Sequence, residues 1–383
     1  MKLLHISDLH LGKKLHDFSL LEDQRHILHR LLRIAAEEKA DGVLVAGDIY
    51  DKTIPPVEAV ALWDDFLTEL SGLGICVLAI SGNHDSPERL QYGSRIMQGQ
   101  RVHIAGEYRG TLPSVTLHDA HGPCHVHLMP YLRPSTVNRH LDAKTASFQD
   151  CVAAALAAGS LNPAERNILV AHQFVTCGGQ PPEASDSETK SLGGTDEVDA
   201  ALFDAFDYVA LGHIHKPQRM GRDTLRYSGS PLKFSFSESR YAKSATLVTL
   251  GEKGSVSIAL LPLCPLRDLK QWKGTLAELQ TRKCYDAASQ DSYMHITLTD
   301  DAPILDAIGK VRVIYPRVML LDFEGSPTSG GAQAAALTSR DVREKTPLAL
   351  FSGFFEMQNG RPMSASECEA FAVAAGEEEG WRA

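Results

Sequence analysis

Apolar and polar positions alternate in blocks along the first 215 residues, and five short apolar runs each empty into a polar string. KLLHI leads into SDLH, GVLVA into GDIYD, CVLAI into SGNHD, NILVA into HQ, and DYVAL into GHIH. Runs of this length bounded by polar turns predict strands that are covered on both faces. Between them, Leu28, Leu31, Leu32 and Ala35 recur at i, i+3, i+4, i+7, with Arg30, Arg33, Glu37 and Glu38 elsewhere, which predicts an amphipathic helix. Pro55-Pro56 precedes a second helix whose expected stripe is Val60, Trp63, Leu67 and Leu70. Strand–helix–strand–helix–strand to about residue 100 reads as parallel βαβ units.

From about residue 207 the rhythm changes. DYVALGH, TLRYSGS, ATLVTL and VSIALLPL follow closely, separated by polar turns, and suggest an antiparallel second sheet. The expected fold class is therefore α/β, a β-sandwich flanked by helices, with a small α/β capping domain and a helical tail. In the cap, YMHITLTD and RVMLLDFE read as strands and PILDAIGKVRVIY as a helix opened by Pro303. GSPTSGGAQAAALTSR has linker composition. In the tail, Thr346-Pro347 opens a helix with a Leu348, Phe351 and Phe355 stripe, ended by Asn359-Gly360. Ser364 with Glu367 fits a capping box for another helix. The boundaries read from these shifts are 1–265, 266–324, 325–343 (linker) and 344–383 (tail).

The chemistry comes from what ends the strands. Asp8 and His10 lie two apart, as do His213 and His215, so in extended backbone each pair projects to one side. Asp48 ends its strand after a glycine, and its two carboxylate oxygens can bridge metals about 3.5–4 Å apart. Asn83 offers a neutral carbonyl oxygen and His172 a single imidazole. Oxygen and imidazole donors without a thiolate suit Mn²⁺, Fe²⁺ or Zn²⁺ better than a structural zinc cage. His84 is the candidate acid for a departing alkoxide, with Asp85 beside it to orient the imidazole. The bland alternatives stand alongside. His172 could be a hydrogen-bonded core residue; His125 and His127 lie in a strand-like run without an acidic partner; His5 and His16 read as structural or solvent-facing; Cys76 and Cys151 read as packing.

Charge and composition change this picture little. Lys and Arg number 38 against 48 Asp and Glu, a net charge of −10, which lends no support to nucleic-acid binding but does not exclude a local phosphate groove. Seven cysteines without a C-x-x-C pair argue for reduced thiols and a cytoplasmic setting. No apolar run approaches the ~18 residues of a membrane span, and MKLLHISDLH starts a strand instead of a signal peptide.

D-x-H, G-D-x-x-D, G-N-H-D, a strand-end His and G-H-x-H, in this order, resemble the calcineurin-like metallophosphoesterase superfamily. LLHISDLHLGKKL, VAGDIYDKTIPP, SGNHDSPERL, YVALGHIHKPQ and YSGSPLKFSFSE further resemble its bacterial repair-nuclease branch. That resemblance implies two divalent metals, Mn²⁺ first among them. Asp8, His10, Asp48 and His215 would hold one, Asp48, Asn83, His172 and His213 the other, and His84 would be the acid. Asp51 stands where some relatives carry histidine, and the loop 177–195 is too ragged to align. The resemblance implies double-strand exonuclease and single-strand or hairpin endonuclease activity on DNA, a partner ATPase of the SbcC type with a coiled coil, and a homodimer within a heterotetramer. Two other classes compete. A scaffold that lost the site would lack ligands, and none is missing. A phosphoprotein phosphatase would show Arg after its second motif and G-N-H-E in its third, where this chain has Asp51-Lys52 and G-N-H-D.

Overall fold

The computed structural model describes residues 1–142, 144–188, 196–281, 290–324, 348, 351–353, 355 and 361–374. The chain divides into two compact units, Met1–Leu269 and Lys270–Ala383.

The first unit is built on two six-stranded sheets. One contains β1 (Lys2–Ile6), β2 (Gly42–Ala46), β3 (Cys76–Ile80) and β4 (Val102–Ala105), all parallel in that order. The other contains β5 (Ser114–Asp119), β6 (Gly122–Met129), β7 (Arg166–His172), β8 (Tyr208–Gly212), β9 (Gln218–Met220) and β10 (Arg222–Tyr227) in the order β9-β10-β8-β7-β6-β5. Leu3, Leu44, Leu78 and Ile80 from one sheet meet Val126, Leu128, Ile168, Val170 and Ala210 from the other in a common core. Every residue of β2, β3, β7 and β8 is buried. That is why these strands read as unbroken apolar runs. Helices α1 (Leu21–Glu37) and α2 (Val57–Gly72) pack on each other, and α2 on β3. Helix α3 (Phe148–Ala157) joins Phe203, Leu211 and Tyr227 in a second cluster beyond the other sheet. Burying Leu28, Leu31 and Leu32 of α1 stabilises the fold by roughly 1.5–3 kcal/mol each.

Two expectations are corrected here. The second sheet is not antiparallel: β6, β7, β8 and β10 run parallel, with β5 and β9 as antiparallel edges. β9 reverses the chain between β8 and β10, so two strands close in sequence end up parallel. The last two runs, β11 (Ser244–Leu250) and β12 (Val256–Pro262), form a hairpin that pairs with β1 in the first sheet. On α2 the buried face is Ala59, Leu62, Trp63, Phe66, Leu67 and Leu70, while Val60 is 44% exposed. Trp63, Leu67 and Leu70 of the expected stripe are buried; only Val60 falls outside it, with Ala59 taking the inward position in the first turn.

In the second unit, β13 (Leu269–Gly274), β14 (Tyr293–Leu298) and β15 (Val318–Phe323) form a three-stranded sheet, β14 and β15 parallel. Met294, Ile296 and Leu298 pack on Ala307, Val311 and Tyr315. Its helix α4 (Ala307–Arg312) opens at an Asp306 cap, not at Pro303, and Leu305 stays 87% exposed. In the tail, Ser364 and Glu367 form the reciprocal cap of α5 (Ala365–Ala374), and the Phe351 and Phe371 rings stack at 4.2 Å. The linker 325–343, Thr346-Pro347, Leu350, Phe354 and Asn359-Gly360 lie outside the described residues, as does 189–195 of the ragged loop. No helix among the described residues is long and apolar enough to cross a membrane.

Candidate metal centre

Parallel strands of both sheets release their chains at one edge, and there the backbone turns sharply. Asp8 (φ 54°), His10 (φ 44°), Asp48 (φ 50°) and His213 (φ 101°) all take left-handed conformations that non-glycine residues rarely adopt. The loops after β1 and β2 run side by side. The N–H groups of Asp8, His10 and Leu11 donate to the carbonyls of Gly47, Asp48 and Ile49 at 3.0, 3.0 and 2.8 Å. The motif glycines are steric necessities. A Cβ on Gly82 would stand 2.7 Å from Asp48 Cγ, and one on Gly212 would stand 2.8 Å from His172 Nδ1.

These turns gather all the sequence-predicted donors. Asp48 Oδ2 faces His172 Nε2 at 3.4 Å and His10 Nε2 at 3.7 Å, while Asp48 Oδ1 accepts the His84 N–H at 2.8 Å. Asn83 Oδ1 lies 2.9 Å from His172 Nε2 and 3.0 Å from His213 Nδ1. His10 Nε2 and His215 Nε2 lie 3.2 Å apart. Asp8 accepts the His213 N–H at 3.0 Å and the Ser7 hydroxyl at 2.5 Å. Three sets have ligand atoms close enough to share an ion: Asp8, His10 and His215; Asp8, Asp48 and His172; His10, Asp48 and His84. All but His84 and Asn83 are buried.

The donor set fits divalent cations. His172 Nδ1–H donates to the Ala46 carbonyl at 2.8 Å, so in the neutral ring Nε2 presents a lone pair to two further acceptors, Asp48 Oδ2 and Asn83 Oδ1. Converging acceptors need a cation between them: a proton, or a metal ion. The electrostatics of the ion-free centre show that demand. Burial alone would lower the His172 pKa, but the Asp48 carboxylate overrides it and lifts it to about 9. Burial likewise opposes ionisation of Asp48, yet His172, His10 and His84 hold its carboxyl well below the usual range. His10 is lowered to about 4 and His213 to about 3, both chiefly by burial, which leaves them neutral as ligation requires. Burial raises Asp8.

Asp85 is corrected. Its carboxylate accepts the N–H groups of Gly82, Ile49 and Tyr50 at 2.9, 3.1 and 2.9 Å, pinning the second loop to the third. The His84 ring instead places Nδ1 2.9 Å from the Asp51 carbonyl oxygen. Three backbone donors outcompete one neighbouring ring for a buried carboxylate. Asp51 itself pairs with Lys13 at 2.7 Å, 3.6 Å from His10 Nδ1. His125 does have an acidic partner, Glu165 Oε2, which accepts a hydrogen bond from its Nε2 at 2.6 Å. His5 is a core residue bonded to the Tyr208 hydroxyl at 2.8 Å. His16 stacks near Phe236, and Cys76 and Cys151 are buried free thiols.

Sequence reasoning missed the groups behind the ligands. Gln24 donates to the His10 carbonyl at 2.6 Å, and Ser187, Glu188, Glu238 and Lys243 surround His215. Glu238 and Lys243 lie in or beside the YSGSPLKFSFSE string. Ser187 and Glu188 lie in the loop whose composition gave no signal.

The calcineurin-like phosphoesterase family model matches residues 1–217, and this chain belongs to that family. It is accordingly a hydrolase of ester bonds. The SbcD C-terminal model, described as the type 5 capsule protein repressor C-terminal domain, matches residues 265–359. The two matches in this order are the arrangement an SbcD-type chain carries. Solved structures with likeness to it include TT1561 of Thermus thermophilus (13% identity, 68% of this chain and 98% of that one, TM-score 0.36). A dimetal phosphatase from Danio rerio (12%, 69% and 99%, TM-score 0.39) and the phosphoesterase YfcE from E. coli (14%, 69% and 100%, TM-score 0.28) are others.

Proposed function

We propose that this chain is a two-metal DNA nuclease subunit, with Mn²⁺ as its ion, acting beside an SbcC-type coiled-coil ATPase in the cytoplasm to process DNA ends in repair and recombination. The observation that carries the reading is Asp48 Oδ2, which faces imidazoles from both halves of the donor set. Asp8, His10, Asp48 and His215 would hold one ion, and Asp48, Asn83, His172 and His213 the other. When bound, two such ions lower the pKa of a water and neutralise charge on a phosphodiester. The chain's own residues do the rest. Asp48 is immobilised by the His84 N–H, so the shared carboxylate keeps one orientation. His84 keeps Nδ1–H on the Asp51 carbonyl, so in its imidazolium form it is the Nε2 proton that would pass to the leaving alkoxide, leaving a neutral ring. His84 is half-buried, open enough for a substrate to reach it.

The SbcD C-terminal match and the capped tail helix support ATPase docking through the tail, and we assign the working unit as a homodimer within a heterotetramer. Double-strand exonuclease and single-strand or hairpin endonuclease activities follow from that reading. A metal-dependence assay on linear duplex, hairpin DNA and a p-nitrophenyl phosphodiester, with and without the ATPase, tests it. We expect Mn²⁺-dependent cutting of all three, with duplex ends cut only when the ATPase and ATP are added. Hydrolysis of phosphomonoesters alone would overturn it.

A further inference from the structure

His215 is held from behind by a chain of groups that the reaction itself does not touch. Its Nδ1 lies 2.6 Å from the Ser187 hydroxyl, and that hydroxyl lies 2.7 Å from Glu238 Oε1. Glu238 is fully buried and ion-paired at 2.5 Å with Lys243, itself 6% exposed. Lys243 also donates to the His215 carbonyl and to Ser230 Oγ, each at 2.8 Å. The His215 N–H donates to Glu188 at 2.7 Å.

The directions of these bonds can be deduced. Glu238, opposite a lysine ammonium, is a carboxylate and can only accept. The Ser187 hydroxyl carries one proton and gives it to Glu238, so toward His215 it can only accept. The proton on the His215 ring must therefore sit on Nδ1, and Nε2 keeps its lone pair toward His10 and Asp8. A buried ion pair contributes little to stability, since apolar residues of similar volume usually serve as well or better. The Glu238–Lys243 pair accordingly needs a reason other than stability.

We propose that Ser187 and Glu238 are positioning residues for the ion held by Asp8, His10 and His215, fixing the His215 tautomer through a hydroxyl-bridged carboxylate. The inference rests on the two-ion reading above. It also makes the two ions unequal. His172, on the other ion, donates its Nδ1–H to a main-chain carbonyl that no side-chain substitution removes. Loss of the Ser187 hydroxyl should therefore weaken one ion and spare the other.

Titrating Mn²⁺ into the metal-free full-length chain by calorimetry tests this without any turnover. Outer partners of a metal-bound histidine typically change affinity by roughly 10–100-fold. Ser187→Ala is expected to bind two ions, one weakened by that factor and one at wild-type affinity, and Ser187→Thr to restore both. Because Glu238→Gln alone would strand the Lys243 charge, the paired variant Glu238→Gln with Lys243→Met provides the second arm, with the same selective loss expected. Two unchanged affinities, or equal weakening of both ions, would overturn the assignment. A wild-type chain that binds fewer than two ions would overturn the two-ion reading, and this inference with it.

Discussion

Gly82→Ala changes no ligand, yet it should disable the centre. The added methyl would sit 2.7 Å from Asp48 Cγ and also crowd the Asp48 main chain. Ordinary contact begins at 3.4 Å, so the carboxylate carbon must retreat by about 0.7 Å, from 2.7 to 3.4 Å, and the oxygen held by the His84 N–H by more. A misplacement near 1 Å at a reacting centre costs on the order of 10²-fold in rate. Overpacking of this kind also costs typically ~1–3 kcal/mol of stability. Both effects can be read on one preparation: Mn²⁺-dependent hydrolysis of bis-p-nitrophenyl phosphate, and urea unfolding of the metal-free protein. Hydrolysis should fall about 10²-fold while the fold survives. A variant within a few-fold of wild type, with unchanged metal affinity, would show that Asp48 does not depend on the space Gly82 leaves.

Asp48→Asn should weaken both ions and abolish hydrolysis, and two tightly bound ions in an active variant would sink the shared-ligand assignment. His84→Gln should keep both ions and DNA affinity while losing roughly 10²–10⁴-fold in DNA cleavage, with a much smaller loss on a nitrophenyl ester whose leaving group needs no proton. Equal losses on both substrates would give His84 another role. Burial, with Arg226 nearby, lowers the pKa of His5 from the ordinary 6.5 to about 3. Between those values the unfolded chain carries a proton the folded one refuses, so stability falls as pH falls, by up to ~1.4 kcal/mol per unit. His5→Gln should flatten that acid dependence in urea unfolding, and an unaltered slope between pH 6 and 4 would contradict it. Truncation after Arg340 should leave Mn²⁺-dependent cutting of single-stranded DNA largely intact but sharply weaken ATPase association and ATP-dependent cutting of duplex ends. Co-purification at undiminished affinity would show that the tail packs on its own unit.

The five strand ends were legible because strands covered on both faces are mostly apolar until the sheet edge, with His5 in β1 and Arg166 and Asn167 in β7 as buried polar exceptions and His172 as the last residue of its strand. The chemistry therefore starts abruptly, at Asp8, Asp48, Asn83, His172 and His213. What local pattern could not carry was long-range pairing. Nothing near residue 245 says that β11 returns to β1, since that register is set across some 240 residues of chain. Orientation was equally hidden. Asp85 follows His84 directly, but the turn aims its carboxylate at the Gly82, Ile49 and Tyr50 amides. Ser187 contacts His215 only after the chain folds back, and nothing in CGGQPPEASDSETKSLGGT marks that serine among its neighbours.

The left-handed backbone at Asp8, His10, Asp48 and His213 sets function against endurance. Residues held in such regions cost of the order of 1–3 kcal/mol each, although Asp and His tolerate them better than most side chains. Glycine at His10 or His213 would relax the turn while deleting a donor. Selection for thermal robustness alone would then erode the centre at these four turns, and a chain released from its chemistry would drift toward a quieter, hardier scaffold.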